Sequence, residues 1–319
     1  MSSDLCQCKD DIRRLCADAG ACATGFAAVT AIPERLEAAY DRWLAEGRHA
    51  SMEYMERYCD IRRDPSLLLE GARTVVVCAF AYTRPGSRRH PLFADYALGR
   101  DYHEVLRKRL RPVAAAMEAM APGSGTRICV DTAPIRERFW ATRAGVGVIG
   151  LNNHLIVPGI GSRVFLAEIL WTHDVEPDSS LEDGGCCGCR ACIVSCPAKA
   201  LDGEGSIDCR RCLSYLTIEH RGDFPDGLTL DGRIYGCDIC QDVCPHNRNT
   251  RRTTVIEEFE PSEALMALDA DAIAKLDREG FSAVFSHSAV KRAKAEGLRR
   301  NIMAHISVKQ NVNTTDNDT

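Results

Sequence analysis

The chain lacks an apolar run that could cross a bilayer, since a spanning helix needs about 18 uninterrupted apolar residues and none occurs. Its first residues, Met1 to Cys6, lack the basic stretch followed by an apolar stretch that marks a secretory leader. Acidic residues outnumber basic ones by 45 to 40, and the formal net charge of −5 argues against indiscriminate binding of polyanions. We therefore expect a soluble cytoplasmic protein without a membrane partner, in which nucleic acid contacts only a local basic patch.

The composition is that of an ordinary globular protein. The 319 residues are 45% hydrophobic and 27% charged, which is enough for two domains with cores of their own. Seventeen cysteines are present, but the chain is too long for a small secreted disulfide scaffold. Reduced cysteines, and therefore a reducing compartment, are expected.

Four cysteines between residues 186 and 197 have the spacing C-x2-C-x2-C-x3-C-P. They are Cys186, Cys189, Cys192 and Cys196. Bacterial ferredoxins with this spacing hold a 4Fe–4S cluster with three of the thiolates and lend the fourth to a neighbouring cluster. The spacing therefore predicts a second cluster.

A second, interrupted set supplies the remaining thiolates. Cys237, Cys240 and Cys244 precede Pro245 in the spacing C-x2-C-x3-C-P, and Cys212 is the candidate for the missing first ligand. The crossed arrangement of two-cluster ferredoxins predicts one cluster on Cys186, Cys189, Cys192 and Cys244, and the other on Cys196, Cys212, Cys237 and Cys240. Zinc is disfavoured because it normally takes its ligands from two separated pairs, and purely structural thiols do not explain the spacing.

Periodicity predicts helices over residues 4–19, 33–47 and 101–120 and strands over 73–82 and 127–130. The first strand is almost continuously apolar, which predicts a central strand covered on both faces. Four further cysteines lie near the start, where small buried thiols are favoured over a third metal site: Cys6, Cys8, Cys16 and Cys22.

Asp131 follows the second strand and precedes Pro134. A carboxylate after a core strand is often catalytic in α/β folds, but an Asp shortly before a Pro also caps a following helix, here predicted over residues 135–143. Position alone leaves both interpretations open.

Residues 145–150 match the dinucleotide-binding pattern G-x-G-x-x-G. That motif requires a strand before it and a helix after it, whereas here a helical segment precedes the glycines and strands follow, around residues 153–157 and 163–171. A dinucleotide site is therefore rejected. The glycines are expected to let the backbone approach something flat or bulky.

Residues 288–300 form a predicted helix with five basic residues and one acidic residue. It is either a solvated surface or a surface that contacts phosphates. The polar tail from Gln310 to Thr319 is predicted to be disordered.

Together these motifs resemble the epoxyqueuosine reductases, the cobalamin and iron–sulfur enzymes that complete queuosine in transfer RNA. The resemblance extends to about Ile302, and its insertion between Cys212 and Cys237 is foreign to a plain ferredoxin. The segments that carry it are residues 96–103, 130–134, 143–150, 161–170, 211–219 and 233–237.

The resemblance implies base-off cobalamin, two 4Fe–4S clusters and Asp131 as proton donor, with burial keeping its carboxyl protonated near neutral pH. Base-off binding agrees with Leu106, which replaces the glycine of a corrinoid-type D-x-H-x-x-G signature beginning at Asp101. The implied cobalamin contacts are Tyr54, Asp131, Gly150, His154, Ser214 and Gly236. The implied transfer RNA contacts are Thr217, Glu219, Lys291 and Arg292.

The implied reaction reduces epoxyqueuosine to queuosine at the wobble position of transfer RNA with a GUN-type anticodon. Electrons come from a low-potential donor such as flavodoxin or ferredoxin, and a monomer is expected. The fold class is α+β: an α/β cobalamin-binding domain (1–175), a ferredoxin-like two-cluster domain (176–250), a C-terminal helical segment (251–305) and a disordered tail (306–319). A corrinoid reductive dehalogenase and a ferredoxin-type electron-transfer subunit are the alternatives.

The sequence departs from the family pattern at several positions. Val148 and Leu151 stand where a Trp and a Lys are usual, and Cys187 and Cys209 are additional thiols, interpreted as non-ligands. The resemblance also implies a short form without C-terminal helical repeats, which gives the basic residues around Lys291 more weight as transfer RNA contacts.

Overall fold

The computed structural model describes residues 2–181, 185–186, 188–225, 227–248, 250 and 255–315. Within these ranges the strands are β1 (Ala23–Ala28), β2 (Thr74–Ala81), β3 (Thr126–Cys129), β4 (Val148–Ile149), β5 (Leu155–Ile156) and β6 (Val164–Trp171). The helices are α1 (Ser2–Asp18), α2 (Glu34–Ala45), α3 (Cys59–Arg63), α4 (Tyr102–Met120), α5 (Glu137–Arg143), α6 (Ala191–Ser195), α7 (Leu213–Ile218), α8 (Ile239–Asp242), α9 (Glu263–Met266), α10 (Ala270–Ala274), α11 (Arg278–Phe285) and α12 (Lys294–Thr315). The predicted mixture of helices and sheet is confirmed.

Four strands form one sheet in the order β1-β2-β6-β3. Every residue of β2 is buried, which confirms the predicted central strand. All pairings in this sheet are antiparallel, so the rule that places catalytic groups after parallel strands does not account for the position of Asp131. The position of Asp131 is determined by the turn that follows β3.

Helices cover both faces of the sheet. On one face α1 and α4 pack against β2 and β6 through apolar side chains spaced along each helix, among them Ile12 and Cys16 of α1 and Leu106, Leu110 and Met117 of α4. On the other face Trp140 and Ala141 of α5 pack beneath Val75 and Val77. The sheet therefore holds α4 and α5, which flank the turn at Asp131, in fixed positions.

The glycine-rich segment joins α5 to the hairpin of β4 and β5, so the predicted order, with a helix before the glycines and strands after them, is confirmed. Gly145 ends α5 with φ +70°. A Cβ on Gly147 would lie 2.5 Å from the carbonyl oxygen of Ile156. The bulky group that this glycine was expected to accommodate is thus the backbone of β5.

The N-terminal cysteines that are described belong to the core. Cys16 is buried with its Sγ 3.5 Å from that of Cys78, and the Cys22 thiol donates to the carbonyl of Ala79 at 3.2 Å. Cys8 packs against the same core. These positions confirm small packed thiols; the side chain of Cys6 and residue Cys187 lie outside the described part.

The C-terminal region differs from prediction in two places. Residues 289–293 form a 3-10 helix, and α12 starts only at Lys294, whose φ of +60° breaks a continuous helix over 288–300. The tail was expected to be disordered from residue 306, but α12 continues to Thr315. Leu298, Ile302 and Ile306 pack against the core, and a helix that is anchored in this way extends at little cost. Residues 316–319 are not described.

No helix among the described residues is both long enough and apolar enough to span a membrane.

Candidate active site and iron–sulfur centre

The thiols predicted for the first cluster surround a common cavity. Its lining contains Cys186, Cys189, Cys192 and Cys244, together with Asn152, Ile156, Ala191, Pro245 and His246. The backbone N–H of Leu151 donates to Cys186 Sγ at 3.2 Å. The β4–β5 hairpin thus forms one wall of this cavity, and the contact at residue 151 uses the backbone, so it does not require the lysine usual at this position.

The thiols predicted for the second cluster influence one another. Burial raises the pKa of the Cys237 thiol to about 12, and nearby Cys212 adds to the shift. Burial also raises the pKa of Cys240, with contributions from Cys237 and Cys212, and that of Cys212, with a contribution from Cys196. These four thiols therefore lie together.

Cys209 stands apart from this group. Burial raises the pKa of its thiol to about 12, and the only other cysteine that contributes is Cys212. Cys212, in contrast, influences both Cys237 and Cys240. The arrangement favours Cys212 as the ligand and Cys209 as a neighbour.

The surroundings of the thiols suit iron–sulfur clusters. Backbone N–H groups point at the sulfurs, as cluster sites require; Ala200 N–H, for example, donates to Cys196 Sγ at 3.3 Å.

The second set lies on the side of Asp131. Cys209, next to Cys212, is close enough to Tyr54 and Arg138 to interact with them electrostatically, and Tyr54 in turn interacts with Asp131. The first set is lined by Pro245, which is exposed. The segment around Cys212 therefore lies on the side of Asp131, and Pro245 places the first set next to solvent.

Asp131 lies in the turn between β3 and α5 in a left-handed conformation, with φ +51°. Its Oδ2 is 2.8 Å from Nε2 of His103. The other ring nitrogen of His103 is 2.7 Å from Oδ1 of Asp101, and Lys291 Nζ is 2.6 Å from the second oxygen of Asp101. Tyr102 stacks on His103 with 4.1 Å between the ring centroids. A chain of four charged groups thus ends at Asp131.

The proton in this chain lies on His103. Burial disfavours its charge, but hydrogen bonds to Asp101 and Asp131 outweigh burial and raise the pKa of His103 to about 9. Burial likewise favours the neutral form of Asp131, yet the hydrogen bond from His103 and its charge lower the pKa of that carboxyl overall. In this arrangement the cationic His103 outweighs burial, and the expectation that burial beside the cofactor keeps Asp131 protonated stays a prediction.

The Asp131 side chain retains 53% of its solvent exposure, although protein atoms surround it closely enough for burial to affect its pKa. It therefore lies in an open concavity that a reacting group can enter. Helix capping does not explain Asp131: α5 begins at Glu137 after Arg136. The backbone N–H of Asp131 instead donates to Glu137 Oε1 at 2.7 Å, and burial together with Asp131 raises the pKa of Glu137 to about 8.

Several predicted ligand contacts do gather around Asp131. The Arg292 guanidinium forms two hydrogen bonds of 2.8 Å to the Glu219 carboxylate and lies 5.8 Å from the ring centroid of Tyr54. Both Arg292 and Tyr54 interact electrostatically with Asp131. Lys291 reaches the group through Asp101. Both basic side chains are thus already paired with carboxylates.

Other predicted contacts have structural roles. Thr217 is 0% exposed; its hydroxyl donates to Leu213 O at 2.7 Å and accepts from the N–H of Gly236 at 3.0 Å. The prediction that Thr217 touches RNA is therefore wrong, because its side chain is buried and its hydroxyl is bonded within the protein. A Cβ on Gly236 would lie 2.5 Å from Ala94 Cβ, and one on Gly150 would lie 2.8 Å from Ile156 Cδ1, so both glycines allow close packing within the protein.

His154 and Ser214 are half-buried. His154 lies in the loop between β4 and β5, where the side-chain amide of Gln241 is 3.3 Å from its Nδ1. Burial, with help from Arg138 and Arg163, lowers the pKa of His154 to about 4, so this imidazole is neutral. The hydroxyl of Ser214, at the start of α7, makes no hydrogen bond with the described residues.

The sequence analysis missed His103 and Arg138 as site residues. Asp101 and His103 were interpreted only as part of an incomplete corrinoid signature. A D-x-H spacing does allow an Asp at the start of a helix to accept a hydrogen bond from the His two residues later, as occurs here. Arg138 gave no comparable signal, because its place beside Asn153 and Glu137 depends on the packing of the hairpin against α5.

Two family models match the chain. The model described as "Epoxyqueuosine reductase QueG, DUF1730" matches residues 62–132, and the "4Fe-4S double cluster binding domain" matches residues 185–247. The second match covers all eight cysteines predicted as cluster ligands. Two 4Fe–4S clusters are therefore supported by comparison as well as by spacing.

Similar proteins match over most of the chain. The epoxyqueuosine reductase of Leadbetterella byssophila is 39% identical over 267 residues, which cover 82% of this chain and 86% of that protein. That of Synechococcus sp. strain CC9605 is 35% identical over 305 residues and 92% of each chain. A crystal structure of epoxyqueuosine reductase with an epoxyqueuosine-modified tRNA-Tyr stem loop superposes with a TM-score of 0.86 at 28% identity, covering 95% of this chain and 81% of that one. With this degree of similarity over most of its length, the chain belongs to the epoxyqueuosine reductase family of oxidoreductases.

Proposed function

We propose that this chain reduces epoxyqueuosine to queuosine in transfer RNA, with Asp131 as the proton donor. The epoxide takes up two electrons and two protons, its oxygen leaves as water, and an alkene remains. The observation that carries the proposal is the pair of Asp131 and His103 in an open concavity on the side of Cys212, so the second cluster is proposed as the inner one and the first as the outer one. The reaction needs a group that donates protons and a centre that donates single electrons.

The family implies cobalamin, and the residues around Asp131 fit base-off binding. Both ring nitrogens of His103 are held by carboxylates, at 2.7 and 2.8 Å, so the imidazole nearest to Asp131 is not free to bind cobalt. Tyr54 and Ile149 keep 40% and 44% exposure, as apolar groups facing a large flat cofactor would. When bound, cobalamin supplies a low-potential centre that delivers electrons to the substrate. Tyr54, Arg138, Ile149 and His154 are the residues that would hold it.

His103 donates to Asp131 the proton that Asp131 then donates to the substrate. As negative charge develops on the epoxide oxygen, the proton on His103 passes to Asp131 and from Asp131 to that oxygen, and the second proton, which completes the water, comes from solvent. Asp101, fixed by Lys291, orients the imidazole and stabilises its charge. A carboxylate of lowered pKa can therefore still act as an acid, since the proton it needs is stored 2.8 Å away.

The substrate nucleotide enters where Tyr54, Glu219 and Arg292 surround the concavity. A single-stranded anticodon loop presents an unstacked base readily, and transfer RNA with a GUN-type anticodon is the proposed partner. Because Arg292 is paired with Glu219 and Lys291 with Asp101, these side chains position the site and contribute little net positive charge. The protein acts as a cytoplasmic monomer, with electrons from a flavodoxin or ferredoxin.

The function is tested by expressing this chain in cells that lack their own reductase. Digested transfer RNA from these cells should contain queuosine in place of epoxyqueuosine. The proposed substrate would be excluded if epoxyqueuosine persists in these cells although the protein, purified anaerobically, contains iron and cobalamin. Bound iron with no affinity for a corrinoid would favour an electron-transfer subunit instead.

Cys212→Ser should remove the inner cluster, because Cys212 lies among the thiols of that set. Iron should fall from about eight to about four atoms per chain, and transfer of electrons to the site should stop. Cys209→Ser is the matched control, three residues away with a thiol buried to a similar degree, and should keep all the iron. Iron analysis and electron paramagnetic resonance of the reduced proteins measure this. Equal iron loss in both variants, or loss only in Cys209→Ser, would contradict the assignment.

A further inference from the structure

The surface formed by α6 and the turn after it carries an exposed apolar side chain between two cations. Val194 exposes 83% of its surface, more than any other large hydrophobic side chain among the described residues. Arg190 and Lys199 are exposed and make no side-chain hydrogen bond or ion pair in the described part of the chain. We call Arg190, Val194 and Lys199 the α6 surface.

The charge of the α6 surface is of one sign. Residues 186–200 contain these two cations and no carboxylate, in a chain whose formal net charge is −5. The nearest acidic groups along the chain are Asp202, which is paired with Arg48, and Glu204. Both belong to the next loop, whose Gly203 lies against the Arg190 guanidinium. A positive surface on an acidic protein attracts negatively charged partners locally.

The α6 surface also adjoins both sets of thiols along the chain. Val194 is two residues from Cys192, in the outer set, and two from Cys196, in the inner set. Its Cα is therefore within about 7.6 Å of the Cα of either ligand. Because electron transfer slows steeply with distance, a carrier seated on Val194 would be well placed to reduce a cluster.

These features fit a redox encounter better than RNA binding. Small transient interfaces combine an apolar centre with charged residues that steer the approach, and Val194 between two cations has that arrangement. RNA backbones are contacted mainly by basic and polar groups, and a valine contributes little to such contacts. The concavity at Asp131 is bordered by different residues, Tyr54 and Arg292.

We propose that the α6 surface is the docking site of a negatively charged one-electron carrier protein of the flavodoxin or ferredoxin kind. In each encounter the carrier is oxidised by one electron and one cluster is reduced from the 2+ to the 1+ state, with no transfer of atoms. This inference rests on the two clusters of the proposed function, and it adds the place where electrons enter.

The test follows cluster reduction directly by stopped-flow absorbance under anaerobic conditions. A reduced flavodoxin of net negative charge should reduce the clusters of Arg190→Glu/Lys199→Glu at least about tenfold more slowly than those of the unmodified chain. Added salt should slow the unmodified chain, whose surface attracts the carrier, and should speed the variant, whose surface repels it. Val194→Asp should also slow the reaction. Photoreduced deazariboflavin, a small uncharged reductant, should reduce all the proteins equally fast.

Lys275→Glu/Arg278→Glu is the matched control for the double variant, since it makes the same charge change at another exposed lysine and arginine without ion pairs in the described residues. It should leave the rate with flavodoxin within about twofold of the unmodified rate. The proposal is overturned if both variants slow flavodoxin equally, if neither does, or if the α6 variants weaken binding of a transfer RNA stem loop without slowing cluster reduction. Absence of cluster absorbance before mixing would instead be a failure of the proposed function.

Discussion

Asp131→Asn is expected to lower the turnover of epoxyqueuosine by about 100- to 10,000-fold, the range that a positioned acid contributes to catalysis. An amide cannot give up a proton to the leaving oxygen. Asparagine is also the replacement that best isolates this effect, because it tolerates the left-handed backbone that residue 131 adopts at φ +51°. Asp131→Ala should be as inactive, but it adds backbone strain.

The measurement compares single-turnover conversion in a modified stem loop with the iron content of the same preparation. Iron should stay at about eight atoms per chain, because residue 131 contacts neither set of thiols. Asp174→Asn, at an exposed aspartate without a partner in the described residues, serves as the control and should be fully active. If Asp131→Asn retains more than a tenth of the unmodified turnover, another group donates the proton.

The cluster ligands can be proposed from the sequence because their chemistry is local. Cys186, Cys189 and Cys192 lie within seven residues and Cys237 and Cys240 within four, and the crossed pattern of two-cluster ferredoxins assigns the cysteine before each proline to the other set. Cys212 is further away, and it is included because one thiol is missing from that pattern. The proposed order of the clusters depends on how Cys209 and Tyr54 pack, and it has no signature in the sequence.

The region around Asp131 could be predicted only in part. Its position after a strand was evident, but the protonation state was not, because it depends on a contact between residues 28 positions apart, from α4 to the turn after β3. The basic residues near Lys291 show the same limit. Their charge is visible in the sequence, whereas the carboxylates that neutralise it, Asp101 and Glu219, come from distant segments. A count of charges therefore overestimated their availability to RNA.

His103→Gln should move the alkaline limit of activity to lower pH. In the unmodified chain the proton stored on His103 is lost only as the pH rises through about 9, so kcat/KM should hold up to about pH 8 and fall above it. Without the imidazole, Asp131 must carry the proton itself, and aspartyl carboxyls usually titrate far below pH 9. The kcat/KM of the variant should then fall about tenfold for each pH unit above the pKa of that carboxyl. Relative to the unmodified protein, the variant should therefore lose much activity at pH 8 and least at the lowest pH tested.

The pH profile of kcat/KM is the measurement that separates proton supply from simple positioning, since it reports the pKa values of the free enzyme. A purely structural role for His103 predicts a profile lowered by one factor at every pH, and that result would contradict the relay. His287→Gln provides the control: this exposed histidine lies 3.5 Å from Glu104, in the same neighbourhood but outside the chain that ends at Asp131. Its profile should overlie that of the unmodified protein, because removing its imidazole leaves the contacts of Asp101 with His103 and with Lys291 in place.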